Sequence, residues 1–374
     1  MEEGKSDQIL CSEEGVTTFR LNQISDLHFS AIVGRLNGLE DAPLRELADI
    51  FISELIWGVH HAPLYPSTFA ADVALSLLRD LSKKIPNLDA LIVTGDLATT
   101  GADADLVVAR DYFSGAIPPN WNPGEGCPSL LEGDDVIVAL PGNHDRYEGI
   151  ALLPGGKRFE KHFGLSWDFE RGSSYDLNSP TGASKVKVCT LFKDDSDVGL
   201  GIVLADLTLL DAHSAEGTWG WIGQGAALCV GDMVQATHTV RAEAKEAGVG
   251  AAVIWAIHYP PGFPGNDEKL KLIHDDVLVA AAEGAGVQLI LAGHTHQPLR
   301  YVAGDHQSVN VICSGATTGM SADEHYSYAE IEIDLNIAGD IQDIRAAQWV
   351  WDAVELAFVN RGPFPQHPLV RSES

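Results

Sequence analysis

Short apolar runs rich in Val and Ile recur along the chain, and most stop at a residue with chemistry to offer. They span Thr18–Ser25, Ala90–Thr94, Asp135–Leu140, Gly199–Ala205, Ala251–Ile257, Val287–Ala292 and Ser308–Cys313. Runs of this length and composition read as buried strands. Helical patterns lie between some of them. In Ser67–Lys84 the residues Phe69, Val73, Leu77, Leu78 and Leu81 follow helical spacing. Ser67 or Thr68 is placed to cap its start, and Lys83 and Lys84 suit its carboxyl end. Leu44–Val59 is a second candidate helix, and Ala226–Glu246 a third with Gly248 as its stop.

The pattern changes near the C-terminus. In Tyr328–Leu335, Ile331, Ile333 and Leu335 alternate with Glu330, Glu332 and Asp334, which predicts a strand with one wet face. Ile344–Trp351 and Ala353–Val359 are placed to pair with it. Buried strands together with alternating ones predict an α/β fold of two stacked sheets with helices outside. We expect one domain over residues 18–360, with a polar tail at 1–17 and a loose, Pro-bearing tail at 361–374. Ser30–Pro66 forms a long excursion containing Trp57, His60, His61 and Tyr65. It reads either as a packed insert over a sheet edge or as a cap or oligomer surface beside a site.

Composition excludes several classes of function. The 374 residues carry 24 Lys and Arg against 53 Asp and Glu, a formal net charge of −29. Such a surface does not grip nucleic acid or an anionic membrane through basic side chains. An anionic substrate would need a local positive centre, which bound metal can supply. The acidic N-terminus does not read as a secretory signal, and no apolar run approaches the roughly 18 residues of a membrane span. Cys11, Cys127, Cys189, Cys229 and Cys313 are scattered, with no CxxC pair for a thiolate zinc site. A reduced, cytoplasmic protein is the expectation.

Fourteen histidines invite a search for ligands. His60, His61, His162, His213, His238, His274, His306, His325 and His367 have no patterned partner and read as surface or packing residues. Five segments differ: Asp26-Leu27-His28, Gly95-Asp96, Gly142-Asn143-His144-Asp145, His258 and Gly293-His294-Thr295-His296. Each follows a predicted strand, and residues beyond the carboxyl ends of parallel strands converge on one edge. In extended backbone, residues two apart point the same way, so Asp26 with His28, and His294 with His296, can each hold a common centre. Glycine before Asp96, Asn143 and His294 permits tight backbone there. Carboxylate, imidazole and amide oxygen suit Mn, Fe, Zn, Co or Ni. They are too many for one tetrahedral ion and make sense when shared by two, with one carboxylate as bridge.

The order DxH, GD, GNHD, H, GHxH resembles the calcineurin-like metallophosphoesterase superfamily over about residues 20–320. Its compact GNHD is closest to the bacterial cyclic-nucleotide phosphodiesterase branch. That resemblance implies a four-layered α/β/β/α sandwich of two mixed sheets flanked by helices. It implies that Asp26, His28 and His296 bind one ion, that Asn143, His258 and His294 bind the other, and that Asp96 bridges them. His144 would be the acid or anion stabiliser, oriented by Asp145, and Arg146 a possible phosphate contact. Trp221-Ile222-Gly223-Gln224 resembles the family's lead into a helix. The implied chemistry is attack on phosphorus by hydroxide held between two divalent or mixed-valence ions. A small phosphodiester is the expected substrate. A phosphomonoester, or a non-catalytic interaction role, are the alternatives. No Tyr follows Gly95-Asp96 as the purple acid phosphatase pattern expects.

Overall fold

The computed structural model describes residues 15–30, 69–99, 101, 103–121, 126–131, 136–146, 158–163, 175–176, 186–193, 196–207, 224–265, 270, 272, 275–319 and 326–366. Two mixed sheets form its centre. The first contains β1 (Thr17–Ile24), β2 (Ala90–Val93), β3 (Ile137–Ala139), β11 (Ser327–Leu335), β12 (Ile341–Asp352) and β13 (Ala357–Pro363), in the order β13-β12-β11-β1-β2-β3. The second contains β4 (Tyr175–Asp176), β5 (Val186–Phe192), β6 (Val198–Ala205), β7 (Gly250–Ile257), β8 (Leu289–Ala292), β9 (Pro298–Ala303) and β10 (Val309–Ser314). Its order is β4-β5-β6-β7-β8-β10-β9. The strands β1, β2 and β3 run parallel, as do β6, β7, β8 and β10. Helices α1 (Ala71–Lys84), α2 (Asp103–Phe113), α3 (Arg158–Phe163), α4 (Gln224–Glu246) and α5 (Asp275–Gly284) flank the sheets.

The continuous apolar runs of the second sheet are explained by burial on both faces. Along β7, Ala252, Ile254 and Ala256 join the core shared with the first sheet. The alternate residues Val253, Trp255 and Ile257 join a second core with Val230, Met233 and Val240 of α4 and Leu278 and Ala282 of α5. Thr237 of α4 lies in this layer. Its hydroxyl donates to Met233 O at 2.9 Å and accepts from Trp255 Nε1 at 2.9 Å. On β11, Ile331, Ile333 and Leu335 are fully buried while Glu330, Glu332 and Asp334 are half-buried, as the alternation predicts.

Some expectations change. Helix α1 begins later than Ser67, and its N-cap is Ala70 with no side-chain cap hydrogen bond; Ser67, Thr68 and the candidate helix Leu44–Val59 lie outside the described residues. The Ala70 N–H instead donates to Thr318 O at 3.0 Å. Strand β12 pairs with β11 as expected, but β13 pairs with β12 rather than with β11. The loose tail expected after Asn360 is corrected as far as residue 366, and residues 367–374 lie outside the described residues. Strand β13 runs to Pro363, Phe364 is 3% exposed, and Arg300 N donates to Pro365 O at 2.8 Å. Apolar burial and a pairing with β9 hold this segment, although its prolines suggested freedom. Strands β4, β5 and β9 match none of the runs expected from sequence. Strand β9 opens on Pro298 and lies at a sheet edge, where proline is tolerated.

Candidate metal centre

All five singled-out segments follow strands. Asp26 and His28 leave β1, Asp96 leaves β2, and Asn143 and His144 leave β3, all in the first sheet. His258 leaves β7, and His294 and His296 leave β8, in the second sheet. The carboxyl ends of the two parallel sets meet, so both sheets supply residues to one polar cluster. Asp26, His28 and His296 offer ligand atoms within 4.8 Å of one another, and so do Asp96, His258 and His294. His28, Asp96 and His144 form a third such set between them.

The local backbone is not extended, as the two-residue spacing suggested. Asp26, His28, Asp96, His294 and His296 all have φ between 51° and 67°, the left-handed region. Non-glycine residues there cost about 1–3 kcal/mol each and persist only where their surroundings over-determine them. Here β1's exit is tied to β2's exit. Asp26 N donates to Gly95 O at 3.0 Å, His28 N to Asp96 O at 2.9 Å and Phe29 N to Leu97 O at 2.8 Å. The side chains of each pair therefore converge by alternating turns and not by a pleat. Glycine is required where these loops touch: a Cβ on Gly142 would overlap the Asp96 carboxylate.

The lone pairs are aimed inward. Asp26 Oδ2 accepts the His294 N–H at 3.0 Å, while Asp26 Oδ1 is buried with no hydrogen bond. That oxygen lies 3.3 Å from His296 Nε2 and 3.9 Å from His28 Nε2, and those two nitrogens are 3.0 Å apart. His258 Nδ1 donates to Thr94 O at 2.8 Å, because a carbonyl only accepts. Its Nε2 then faces Asn143 Oδ1 at 3.0 Å and Asp96 Oδ2 at 3.3 Å. Asp96 Oδ2 is also 3.8 Å from His28 Nε2, which puts one carboxylate oxygen between the two groups. Buried oxygen and nitrogen lone pairs that face each other need a proton or a cation between them. The residues fit a pair of borderline metal ions bound through oxygen and nitrogen.

The protonation behaviour follows from this crowding. Burial, with the His144 charge, pushes His28 down to about 3. Burial opposes charge on His258 too, but Asp96 beside it wins and carries it up to about 9. Asp96 itself is held well below the usual carboxylate range by His258 and His144, against the cost of its burial.

The family model for calcineurin-like phosphoesterases matches residues 19–298, most of the chain and all five segments. The chain belongs to this family. No curated protein matches it significantly. Among solved structures, this phosphoesterase is similar to GAP50, the anchor in the inner membrane complex of Plasmodium, at 10% identity and TM-score 0.48, covering 94% of this chain and 90% of that one. It is similar to a dimetal phosphatase from Danio rerio at 13% identity and TM-score 0.44, covering 92% and 99%. It is also similar to a 5'-nucleotidase from Candida albicans at 14% identity and TM-score 0.37, covering 90% and 53%. Among the described residues, no helix of this phosphoesterase is long and apolar enough to cross a membrane.

One expected role is corrected. Asp145 does not orient the His144 ring. His144 Nδ1 is hydrogen-bonded to Thr99 O at 2.7 Å, and the His144 backbone N–H donates to Asp96 Oδ1 at 2.8 Å. The Asp145 carboxylate accepts instead from the backbone of Leu97 (3.2 Å), Ala98 (2.8 Å) and Gly142 (2.8 Å). It clamps the exits of β2 and β3 together. Burial and the nearby Asp96 charge carry its carboxyl up to about 7, against the pull of those donors. The Arg146 side chain lies outside the described part, as do residues 221–223. His162 pairs with Asp103 at 2.8 Å, which agrees with an ordinary packing role. The residues missed from sequence are Thr94 and Thr99, whose carbonyls set the two histidine tautomers, and Tyr259, whose ring lies edge-on to His294 at 4.6 Å. Backbone carbonyls carry no side-chain signature, so only the geometry finds them.

Proposed function

We propose that this phosphoesterase hydrolyses phosphodiesters, cyclic nucleotides among them, at a centre of two metal ions. Asp26, His28 and His296 hold one ion, Asn143, His258 and His294 hold the other, and Asp96 bridges them. The observation that carries this reading is the position of Asp96 Oδ2, which is 3.3 Å from His258 Nε2 and 3.8 Å from His28 Nε2. Two divalent ions, such as Mn or Fe, would cancel phosphate charge and lower the pKa of a bound water towards neutral.

The remaining work falls to the chain. Asp26 and Asp96 each spend one carboxylate oxygen on a backbone N–H, which fixes the other towards the centre. The His144 Nδ1–H donates to Thr99 O, which turns Nε2 towards the centre to stabilise or protonate the leaving oxygen. Asp145 keeps the two loops in register. The ion pairs of the cluster involve His and Asp, with no Lys or Arg among the described residues. A diester with one charge demands less neutralisation than a monoester, whose second pKa of about 6 leaves it nearly doubly charged at neutral pH.

The test is to strip metal, add back Mn, and compare bis-(p-nitrophenyl) phosphate with p-nitrophenyl phosphate. Metal-dependent turnover favouring the diester is expected. Preference for the monoester would make it a phosphatase. Absence of bound metal by elemental analysis would sink the dinuclear reading.

A further inference from the structure

We infer that Thr318, with its neighbour Thr317, is a positioning residue for the Asp26–His28 half of the centre. This rests on the dinuclear reading above. The five residues Gly315-Ala316-Thr317-Thr318-Gly319 follow β10, a strand of the second sheet, and turn at Gly315 (φ 82°). They then run along β1's exit, in the first sheet. Thr317 N donates to Ser25 O at 3.0 Å, and Gly319 N to Asp26 O at 2.9 Å. Thr318 Oγ1 donates to Leu27 O at 2.7 Å, while Thr317 Oγ1 accepts the Ser25 N–H at 3.1 Å. Both threonines are fully buried.

The consequence is a set of partners on both sides of an unfavourable turn. Asp26 and His28 are both left-handed, with Leu27 between them. Their N–H groups are spent on β2's exit, at Gly95 O and Asp96 O. On the other side, the carbonyls of Ser25, Asp26 and Leu27 are met by the 315–319 strap, and that of His28 by Thr99 Oγ1 at 2.6 Å. The turn is held from both sides, with the strap bringing the second sheet onto the first sheet's ligands. The fit is close: a Cβ on Gly319 would stand 2.5 Å from both Asp26 O and His28 Cδ2. The Thr318 carbonyl in turn accepts the Ala70 N–H, so the same residue anchors the start of α1.

Leu27 O is the one carbonyl in this set that the strap serves with a hydroxyl. It can therefore be orphaned without altering backbone or shape. Supporting groups behind metal ligands are worth about 10- to 100-fold in metal affinity. In full-length protein, T318V should still fold by circular dichroism. It should bind one Mn ion as wild type does and the other about 10- to 100-fold more weakly by titration calorimetry. T318S keeps the hydroxyl and should restore the second ion. T237V, which removes a buried hydroxyl bonded to Met233 O beneath α4, should lower the melting temperature and leave both ions bound as in wild type.

Wild-type affinity for both ions in T318V would overturn the positioning role while leaving the dinuclear reading intact. Failure of wild-type protein to bind two ions would count against the dinuclear reading, and against the role that rests on it. If T318V does not fold, T317V and T317S form the deciding pair, because Thr317 Oγ1 accepts from Ser25 N–H. Selective loss of one ion in T317V, rescued in T317S, supports the role; two ions held at wild-type affinity in T317V overturn it.

Discussion

On the exposed face of β12, Arg345 reaches Asp343 at 2.8 Å, Asp334 at 3.0 Å and Glu332 at 3.1 Å, and Arg20 reaches Glu332 at 3.3 Å. At the carboxyl ends of β1 and β8, Asp26 is fully buried, and its Oδ1 has no hydrogen bond. Both regions are built from carboxylates facing nitrogen groups. The difference is where their neutralising charge comes from. The antiparallel β11–β12–β13 meander carries its own guanidinium and is wetted by solvent, so each pair is nearly self-sufficient and contributes little. The buried cluster has imidazoles in place of guanidinium, and its carboxylates Asp26 and Asp96 are shielded from water while the His296 side chain stays 31% exposed. Its charges balance only when protons or metal ions enter. A surface network is thus decoration on a sheet that its apolar alternation already specifies, whereas the buried one is a site.

This contrast can be broken at graded strength. The largest effect is expected at the shared carboxylate. Asp96→Asn should lose bound metal and essentially all turnover, read by elemental analysis and model-ester assay; retained metal would show that Asp96 does not bridge. Next, His144→Ala should keep both ions and lose about 10²- to 10⁴-fold in turnover on an ester whose leaving group needs protonation. Unchanged turnover on that ester would remove His144 from the chemistry.

A smaller effect concerns protons. In the metal-free protein, His258 is carried up to about 9 by Asp96, from an ordinary value of 6.5. An incoming ion must displace that proton, so affinity should rise about tenfold per pH unit up to about pH 9 and then level off. The same bound proton stabilises the metal-free fold fully below pH 6.5. That contribution is lost as pH rises through about 9, so the apo melting temperature should fall across this window. Calorimetry in buffers of different ionisation enthalpy would detect the released proton, and a pH-independent affinity would refute its presence. The smallest effect is expected in the meander. Arg345→Ala should cost under about 1 kcal/mol in urea unfolding, and still less in high salt. A loss of several kcal/mol there would erase the contrast.

Much of the site could be read before folding. Carboxylate, imidazole and amide side chains follow apolar runs at Asp26, Asp96, Asn143, His258 and His294, and a strand that ends there delivers its next residues to one edge. The stacked sheets were legible for a related reason, since the period of two along β11 and the unbroken apolar runs of β6 and β7 each imply a burial pattern. What failed was local inference about backbone. Spacing of two suggested a pleat at Asp26–His28 and at His294–His296, and the family resemblance implied that Asp145 serves His144. The left-handed turns instead depend on Gly95, Asp96 and Leu97 on one side and on Thr317, Thr318 and Gly319 on the other. Those partners are roughly 70 and 290 positions away along the chain.

The sequence by itself determined which residue types stand at the strand ends, which strands face core on both sides, and that the chain belongs with phosphoesterases. Only the tertiary structure decided the backbone conformation of the ligand turns, the carbonyl that sets each histidine tautomer, the work of Asp145, and the packing of the segment after Asn360 against β9 and β12. Side-chain chemistry and hydrophobic period are properties of short stretches, so they survive in the linear chain. A buried hydrogen bond takes whichever partner the fold brings within about 3 Å, and that partner is chosen by the meeting of two sheets.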